Sequence, residues 1–283
     1  MKQPTIVTIT GPSSSGKTVL SNDLHQHGFE PLVSTTTPAK RRGEIQDVHY
    51  HFVDEATFQQ MEREQRLIES INYGGKNYGV SSAEVERAHA LGRPAVLVVE
   101  PHGVEQISKY CAERDWQLVR VFVNNPPELL LARMLCRATE NTLDIHIQDH
   151  PAVQAQIEAQ SPTLMHELKD VADQVDIIKA YVAQTVEAAR QALGKEGDPI
   201  TADHPKVITD SERISKVLDF EVQAWVKPAL DGRHHYDMIF PAFNDDNRQS
   251  VVEEVEKRAR HLMSQAHELA ELPAGGRRRS NRP

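Results

Sequence analysis

One stretch near the N-terminus combines glycines, a lysine and hydroxyl side chains at the spacing of a phosphate-binding loop. Residues 11–18 read Gly-Pro-Ser-Ser-Ser-Gly-Lys-Thr, which matches the pattern G-x-x-x-x-G-K-[ST]. Glycines let such a loop curl so that successive N–H groups point at a phosphate, and the helix that follows adds the positive end of its dipole. We therefore predict that this loop binds the phosphates of ATP.

The residue types within the loop have separate expected roles. Lys17 is expected to bridge the β- and γ-phosphates, and the Thr18 hydroxyl is expected to hold Mg²⁺. Backbone N–H groups are expected to cradle the phosphates. They belong to Gly11, Ser13, Ser14, Ser15 and Gly16. The alternative is a glycine- and serine-rich turn with an incidental lysine.

The elements around the loop must deliver it from a strand into a helix. Residues 5–10 form a β-branched run that ends at a glycine, which predicts a buried strand, and residues 17–27 predict the helix. Apolar runs at 94–100 and 117–124 predict further strands, and a helix is predicted at 83–91. Strands alternating with helices indicate an α/β fold with a parallel sheet.

The second half of the chain has a different pattern. Residues 151–193 carry apolar residues at helical spacing, which predicts a helical pair or long helical hairpin. A glycine- and proline-containing break at 194–199 precedes an amphipathic helix predicted at 211–225 and a short strand predicted at 237–240. Residues 266–283 are expected to form a flexible basic tail.

Composition limits the classes of partner. The formal net charge of −9 gives no attraction of the whole molecule to nucleic acid or to an anionic membrane. The arginines at 277–282 nevertheless leave nucleic acid open as a partner. Because no run of eighteen apolar residues occurs, we expect no membrane span and a cytoplasmic protein. Cys111 and Cys136 lie in apolar segments and are expected to be buried thiols.

A series of short motifs follows the phosphate loop. They are Ser34-Thr-Thr-Thr, Arg41-Arg-Gly43-Glu44, Tyr50-His-Phe52, Ile68-Glu69, Asn77-Tyr78-Gly79, Glu100-x-x-Gly103, Arg133, Arg137-Ala-Thr-Glu140, Tyr236-Asp237 and Asn244-Asp245-Asp246. In kind and spacing this series resembles the guanylate kinase family. The resemblance covers residues 1–140 and 209–265. It implies a three-layer P-loop NTPase fold with a mainly helical insertion in the lid at 141–208.

The resemblance also implies roles in an acceptor site for a nucleotide. In that family, the positions that match Arg41, Tyr50 and Tyr78 hold the acceptor phosphate, and those that match Ser34 and Glu69 contact the guanine. A guanidinium and two phenols suit a phosphate dianion, and a carboxylate can accept from adjacent N–H donors of a base.

Other positions are implied at the ATP side. Arg137 would stabilise charge on the phosphoryl group in transfer, and Glu100 stands where the family has an aspartate near Mg²⁺. Arg133 and Asn244 would contact the ATP. A second lid arginine is not at its expected place, and Arg213 or Lys216 could serve instead.

Four departures from the family pattern concern the acceptor. Pro38 replaces a phosphate-binding arginine, Val80 a base-contacting hydroxyl and Val98 a base-contacting acid, while His102 is either a new acceptor contact or a turn residue. Two lost polar partners would leave guanine donors unsatisfied, at a cost of about 1 to 3 kcal/mol each. The acceptor is therefore expected to be GMP-like, a modified deoxynucleotide or a nucleotide within DNA.

Three functions follow from these observations. The first is an ATP- and Mg²⁺-dependent nucleoside monophosphate kinase, and the second is a kinase with a changed acceptor. The third is a non-catalytic module that binds peptides, although such modules typically lose the phosphate loop that this chain retains. The insertion could cover the acceptor, form the surface of a homodimer or engage a partner.

Overall fold

The computed structural model describes residues 3–40, 45–48, 50–73, 75–168 and 174–271; for Tyr73 and residues 265–271 the description is of the backbone alone. Within these ranges the chain forms one parallel sheet, one mixed sheet and a set of helices that flank them.

The central sheet has five strands, and every pair of neighbours in it is parallel. Its order is β2-β7-β1-β8-β9. The strands are β1 (Thr5–Thr10), β2 (Glu30–Pro31), β7 (Ala95–Val98), β8 (Gln117–Val123) and β9 (Met238–Phe240). Because all run the same way, the loops after β1, β7, β8 and β9 meet at one edge of the sheet.

Strand β1 lies at the centre of this sheet because both of its faces are apolar or carry small hydroxyls. All six residues are buried. Val7 and Ile9 pack on one side with Leu20 of the helix that follows, whereas Ile6 packs on the other side with Ile107. A strand covered on both faces is typical of a parallel sheet between two helical layers, so the predicted three-layer α/β fold is confirmed.

The helices that cover the sheet belong to two layers. Helices α1 (Lys17–Gln26) and α10 (Arg248–Glu271) lie on one face, and α3 (Ser82–Ala90) and α4 (Pro101–Arg114) on the other. The predicted helix at 17–27 and the predicted helix at 83–91 are thus present, with ends that differ by one residue.

A second sheet of four strands projects from residues 35–81. Its strands are β3 (Thr35–Thr36), β4 (His51–Phe52), β5 (Leu67–Tyr73) and β6 (Lys76–Ser81), in the order β4-β3-β6-β5, and α2 (Glu55–Arg63) lies within this segment. Strand β3 pairs parallel with β4 and antiparallel with β6, and β5 and β6 form a hairpin. These four strands are absent from the sequence-based predictions.

A separate apolar core holds the segment that the sequence analysis describes as an insertion. Helix α5 (Pro127–Leu143) packs against α6 (Pro151–Leu168), α7 (Val175–Ala192) and α8 (Pro205–Lys216). Leu135, Leu164, Val182 and Ile214 are among the buried residues of this core. The helices α6 and α7 lie in the stretch for which the sequence predicts a helical pair.

The predicted helix at 211–225 differs from the observed structure. Helix α8 begins earlier, at Pro205, and ends at Lys216, where a π-helix continues over Val217–Val226 and a short helix, α9 (Lys227–Leu230), follows. Apolar spacing does not distinguish an α-turn from the wider π-turn over a few residues, and π-helices are rare.

Candidate nucleotide and acceptor sites

The phosphate loop joins β1 to α1, as the sequence predicts. Gly11 has φ +153°, and a Cβ there would lie 1.9 Å from the Val123 carbonyl oxygen. Gly16 has φ +98°, and a Cβ there would lie 2.6 Å from Cδ1 of Phe243. The backbone thus approaches its neighbours so closely at both positions that glycine is required.

Lys17 lies folded back on the loop. Its Nζ donates to the carbonyl oxygens of Gly11 at 2.8 Å and Pro12 at 2.7 Å. Burial lowers the pKa of Lys17 to about 8, and the charges of Glu221 and Glu100 act against this shift. The ammonium is therefore poorly compensated where it lies, which favours an anionic ligand beside it.

A cavity of about 610 Å³ opens over the loop. It is lined by Ser13, Ser14, Gly16, Lys17, Thr18, Val19, Arg133, Arg137, Glu140, Gln148, Arg213, Phe243, Asn244, Asp245 and Arg248. Nearly all the residues predicted at the ATP side are brought together here. Of the predicted loop residues, Gly11 and Ser15 are buried and lie outside the cavity lining.

Arg133 ties two walls of the cavity together. From α5, its Nη1 donates to the Ser14 carbonyl oxygen and its Nη2 to that of Phe243, each at 3.1 Å. Burial lowers the pKa of the Arg133 guanidinium. Asn244, which follows β9, lies at the same wall.

Two arginines from different helices face the same cavity. Arg137 lies one turn after Arg133 on α5, and Arg213 lies on α8. Asp210 is mostly buried against both of them, and burial raises its pKa. Of the two candidates for the second lid arginine, Arg213 lines this cavity, whereas Lys216 is outside its lining within the described ranges.

A second cavity, of about 280 Å³, lies beside the first at the end of β7. It is lined by Ser34, Glu69, Ser70, Ile71, Tyr78, Val98, Val99, Glu100, His102, Gly103 and Gln106. Three of the predicted acceptor residues, Ser34, Glu69 and Tyr78, therefore share one cavity. Tyr50 lies next to them, with its ring centroid 6.3 Å from that of Tyr78.

Glu69 is the buried carboxyl of this second cavity. Burial, with the nearby charge of Glu100 adding to it, raises the pKa of Glu69 to about 7. The next residue on β5, Ser70, is held by Gln106. The Gln106 Oε1 accepts from the Ser70 N–H at 2.9 Å, and its Nε2 donates to the Ser70 carbonyl oxygen at 3.0 Å. A Cβ at Gly103 would lie 2.2 Å from Cγ2 of Val99, so this glycine lets α4 approach the end of β7 beside the cavity.

Glu100 lies between the two cavities. It lines the second cavity, and its charge acts on both Lys17 and Glu69. Thr18 lines the ATP-side cavity. The described residues contain no group of three or more His, Cys, Asp or Glu that could hold a metal ion by itself. A hydroxyl and a carboxylate beside a phosphate site nevertheless fit Mg²⁺, which keeps several waters and takes phosphate oxygens as ligands.

Four more residues were predicted at or near the acceptor, and the outcome differs between them. Arg41 lies outside the described residues. Val80 was expected at the acceptor base but is fully buried, because it packs in the apolar core with residues of α3 and β7, although it lies on the same face of β6 as Tyr78. Val98 does line the cavity and is 37% exposed. His102 lies in the first turn of α4 and lines the same cavity.

Three residues at the phosphate loop or its cavity are absent from the sequence-based predictions. Glu221 accepts hydrogen bonds from the loop, Asn125 supports the loop from below, and Gln148 reaches the cavity from a 3₁₀ turn over Ile147–Asp149. Asn125 follows a predicted strand at the carboxyl edge of the parallel sheet, where ligands usually bind, so its position in the sequence could have indicated a role. Glu221 and Gln148 carry no comparable signal.

Both cysteines are buried and free, as predicted. Within the described ranges, none of the helices combines the length and the apolar character that crossing a membrane would require.

A parallel α/β sheet with a phosphate loop after its central strand defines a P-loop protein. The sequence profile of the guanylate kinase family matches residues 2–189. The chain belongs to the guanylate kinase family.

Individual relatives agree with this assignment. The chain is 32% identical to a guanylate kinase of Chelativorans sp. (strain BNC1) over 142 residues, and this aligned region covers 50% of this chain and 64% of that protein. It is 34% identical over 139 residues to one of Sphingopyxis alaskensis, which covers 48% and 62%. It is 33% identical over 144 residues to one of Mycoplasmoides gallisepticum, which covers 50% and 72%. The chain thus spans less than two thirds of the length of the first two.

Among solved structures, the chain matches the crystal structure of guanylate kinase from Anaplasma phagocytophilum. The match has 28% sequence identity, covers 47% of this chain and 66% of that one, and has a TM-score of 0.37.

Proposed function

We propose that this chain is an ATP-dependent nucleoside monophosphate kinase that passes the γ-phosphoryl group of ATP to the phosphate of a nucleotide. The observation that carries the proposal is the position of the phosphate loop over residues 11–18 at the carboxyl edge of the parallel sheet, beside a second cavity with a different set of polar groups. Membership of the guanylate kinase family supports it.

At the ATP side, Lys17 and the N–H groups of the loop and helix start would hold the phosphates. Arg137 and Arg213 would neutralise charge on the phosphoryl group during its transfer. Of the two candidates for the second lid arginine, we choose Arg213. Thr18 and Glu100 would hold Mg²⁺, which when bound supplies charge neutralisation at the β- and γ-phosphate oxygens. Arg133 and Asn244 would line the nucleotide.

At the acceptor side, Tyr50 and Tyr78 would hold the acceptor phosphate, together with Arg41. Ser34 and Glu69 would contact the base. Since there is no covalent step for the protein to perform, catalysis would consist of positioning and of charge neutralisation. The reaction breaks the bond between the γ-phosphorus and the β,γ-bridging oxygen and forms a bond to an oxygen of the acceptor phosphate.

The base that the acceptor carries is a separate question. Val98 is exposed in the cavity at the position that matches a base-contacting acid of the family. A guanine amino group that faced this isopropyl group would lose a hydrogen bond, at a cost of about 1 to 3 kcal/mol. This favours the second candidate function, a kinase for a modified deoxynucleotide or for a nucleotide within DNA.

A transfer assay with radiolabelled ATP would test both candidates. The panel would contain ribo- and deoxynucleoside monophosphates and short oligonucleotides, and the Lys17→Ala variant would serve as the blank. Strong turnover of GMP would eliminate the second candidate. Transfer to no acceptor, together with no ATP binding, would overturn the proposed kinase and favour a non-catalytic binding module.

A Val98→Asp variant sharpens the assay, because it adds the missing acceptor of hydrogen bonds. It should raise the use of GMP relative to other monophosphates if the valine sets the preference. Ile239→Asp is a matched control, since Ile239 is also a β-branched residue on the same sheet, is similarly exposed and lines neither cavity.

A further inference from the structure

A carboxylate from the second half of the chain contacts the phosphate loop. Oε2 of Glu221 accepts from the backbone N–H of Ser13 at 2.6 Å, and Oε1 accepts from the Ser13 hydroxyl at 3.2 Å. Only 5% of Glu221 is exposed. A buried carboxylate with two donors from one residue is a fixed, oriented contact.

Glu221 belongs to the same helical segment as Arg213. Helix α8 carries Arg213, and the π-helix Val217–Val226 continues it and carries Glu221. Over the eight residues from Arg213 to Glu221, an unbroken α-helix would leave the two side chains about 80° apart around the axis. The wider π-turn rotates less per residue and so reduces this offset, and Glu221 contacts Ser13 of the loop while Arg213 lines the cavity.

The charge of Glu221 is placed to interact with the basic residues around the phosphate loop. The Glu221 carboxylate acts on Arg213 and on Lys17. Arg213 is also close to Arg137, a like charge whose repulsion Asp210 and Glu221 oppose. An anchor to the loop would help to hold the segment, with its arginine, at the site. The contact of Glu221 with Ser13 is such an anchor.

This contact leaves other donors of the loop for a phosphate. Helix α1 begins at Lys17, and the first N–H groups of an α-helix have no carbonyl partner within it. The N–H groups of Lys17 and Thr18 therefore remain available while Glu221 occupies Ser13. A triphosphate bound at these N–H groups, rather than at the Ser13 N–H expected from the sequence, would leave the Glu221 contact in place.

We propose that Glu221 is a positioning residue that fastens the α8–π-helix segment to the phosphate loop and thereby holds Arg213 over the transferring phosphoryl group. The inference rests on the proposed function. It assigns to Glu221 an effect on the rate of transfer that operates through Arg213.

A double-mutant cycle tests this assignment. The variants are Glu221→Ala, Glu221→Gln, Arg213→Met and the Glu221→Ala/Arg213→Met pair. Glu212→Gln, which removes the same charge from an exposed position on α8, is the matched control. The measurements are kcat and KM for transfer, ATP affinity by calorimetry, and thermal unfolding to separate loss of fold from loss of rate.

If Glu221 acts through Arg213, Glu221→Ala should lower kcat on the order of 10- to 100-fold, since misplacement of a catalytic group by about 1 Å has effects of this size. The same change in the Arg213→Met background should alter kcat less than about twofold, because the residue that it positions is already absent. Glu221→Gln, which keeps the shape and can accept only one of the two hydrogen bonds, should fall between the wild type and Glu221→Ala.

Three outcomes would overturn the assignment. Losses that multiply in the double variant would show that Glu221 acts independently of Arg213. Tighter ATP binding in Glu221→Ala with kcat preserved would show that the carboxylate competes with the phosphates. An unchanged kcat with a lowered melting temperature would show a role in folding alone. A wild-type chain without ATP binding is a different result, because it would remove the proposed function itself.

Discussion

Asn125 and Phe243 are joined by a hydrogen bond that fixes the loop after β9 over the phosphate loop. The Asn125 Oδ1 accepts from the Phe243 N–H at 2.9 Å, and the Asn125 Nδ2 donates to the Ser15 carbonyl oxygen at 2.9 Å. Asn125 is fully buried, so both bonds are shielded from water. The ring of Phe243, held in this way, lies against Gly16.

Replacing Asn125 should therefore damage both stability and nucleotide binding. Asn125→Ala would leave the Ser15 carbonyl and the Phe243 N–H buried without partners, at a cost of about 1 to 3 kcal/mol each. Urea unfolding should show this loss, and calorimetry should show weaker ATP binding. Asn72→Ala, at an exposed position on β5, is the control. Full affinity in Asn125→Ala would contradict the role.

Lys17→Ala should abolish phosphoryl transfer without loss of the fold. Burial lowers the pKa of Lys17, so the charged ammonium is held at a cost in the protein without ligand, and its removal should not reduce the free energy of unfolding. Circular dichroism would check the fold, and the transfer assay would check activity. Undiminished transfer in the variant would refute the assignment of the loop.

The affinity for ATP should depend on pH through Lys17. Its pKa of about 8 in the free protein means that the ammonium is already present below this pH, where affinity should be flat. Above it, binding must take up a proton, so affinity should fall by about tenfold per pH unit while the bound lysine stays charged. Calorimetry in buffers of different ionisation enthalpy measures this uptake, and Lys17→Arg should remove it below pH 10.

Glu69→Gln should raise stability at alkaline pH and weaken the binding of the acceptor. The folded pKa of about 7 lies above the ordinary value of 4.5, so the folded state holds this proton more tightly and the wild type loses stability as pH rises from 4.5 to 7. The variant avoids this loss of up to about 3 kcal/mol. Measurements of the free energy of unfolding at pH 5 and pH 8 would test this prediction. If the substitution changed that free energy equally at both pH values, the pKa of Glu69 would not be raised in the folded protein.

A side chain at Gly16 should be tolerated much less than one at a glycine in open space. Gly16→Ala combines a positive φ with a Cβ 2.6 Å from the Phe243 ring, whereas Gly194 has φ +61° and nothing within 4 Å of an added Cβ. Backbone strain of this kind costs about 1 to 3 kcal/mol, and Gly16→Ala adds the clash to it. A smaller loss of unfolding free energy in Gly16→Ala than in Gly194→Ala would contradict this.

The parts of the site that the sequence predicted are those formed by consecutive residues. The phosphate loop is one example, since its glycines, lysine and threonine act through the backbone between Gly11 and Thr18. The cavity at the end of β7 is an exception, because Ser34, Glu69 and Tyr78 are distant in the sequence and only the family resemblance assigned them to one site. Val80 shows the limit: its place in a motif is visible in the sequence, whereas tertiary packing against α3 and β7 decides that it is buried in the core.

The sequence by itself determined the central strand, the phosphate loop and the helix after it, because the conformations of these residues depend on near neighbours. The tertiary structure alone decided the contact between Ser13 and Glu221, which are 208 residues apart, and the π-helix that presents this carboxylate. Local spacing carries no information about which distant group will meet a backbone N–H. That choice is made when the helices of the second core pack against α5 and the segment after α8 comes to lie at the loop.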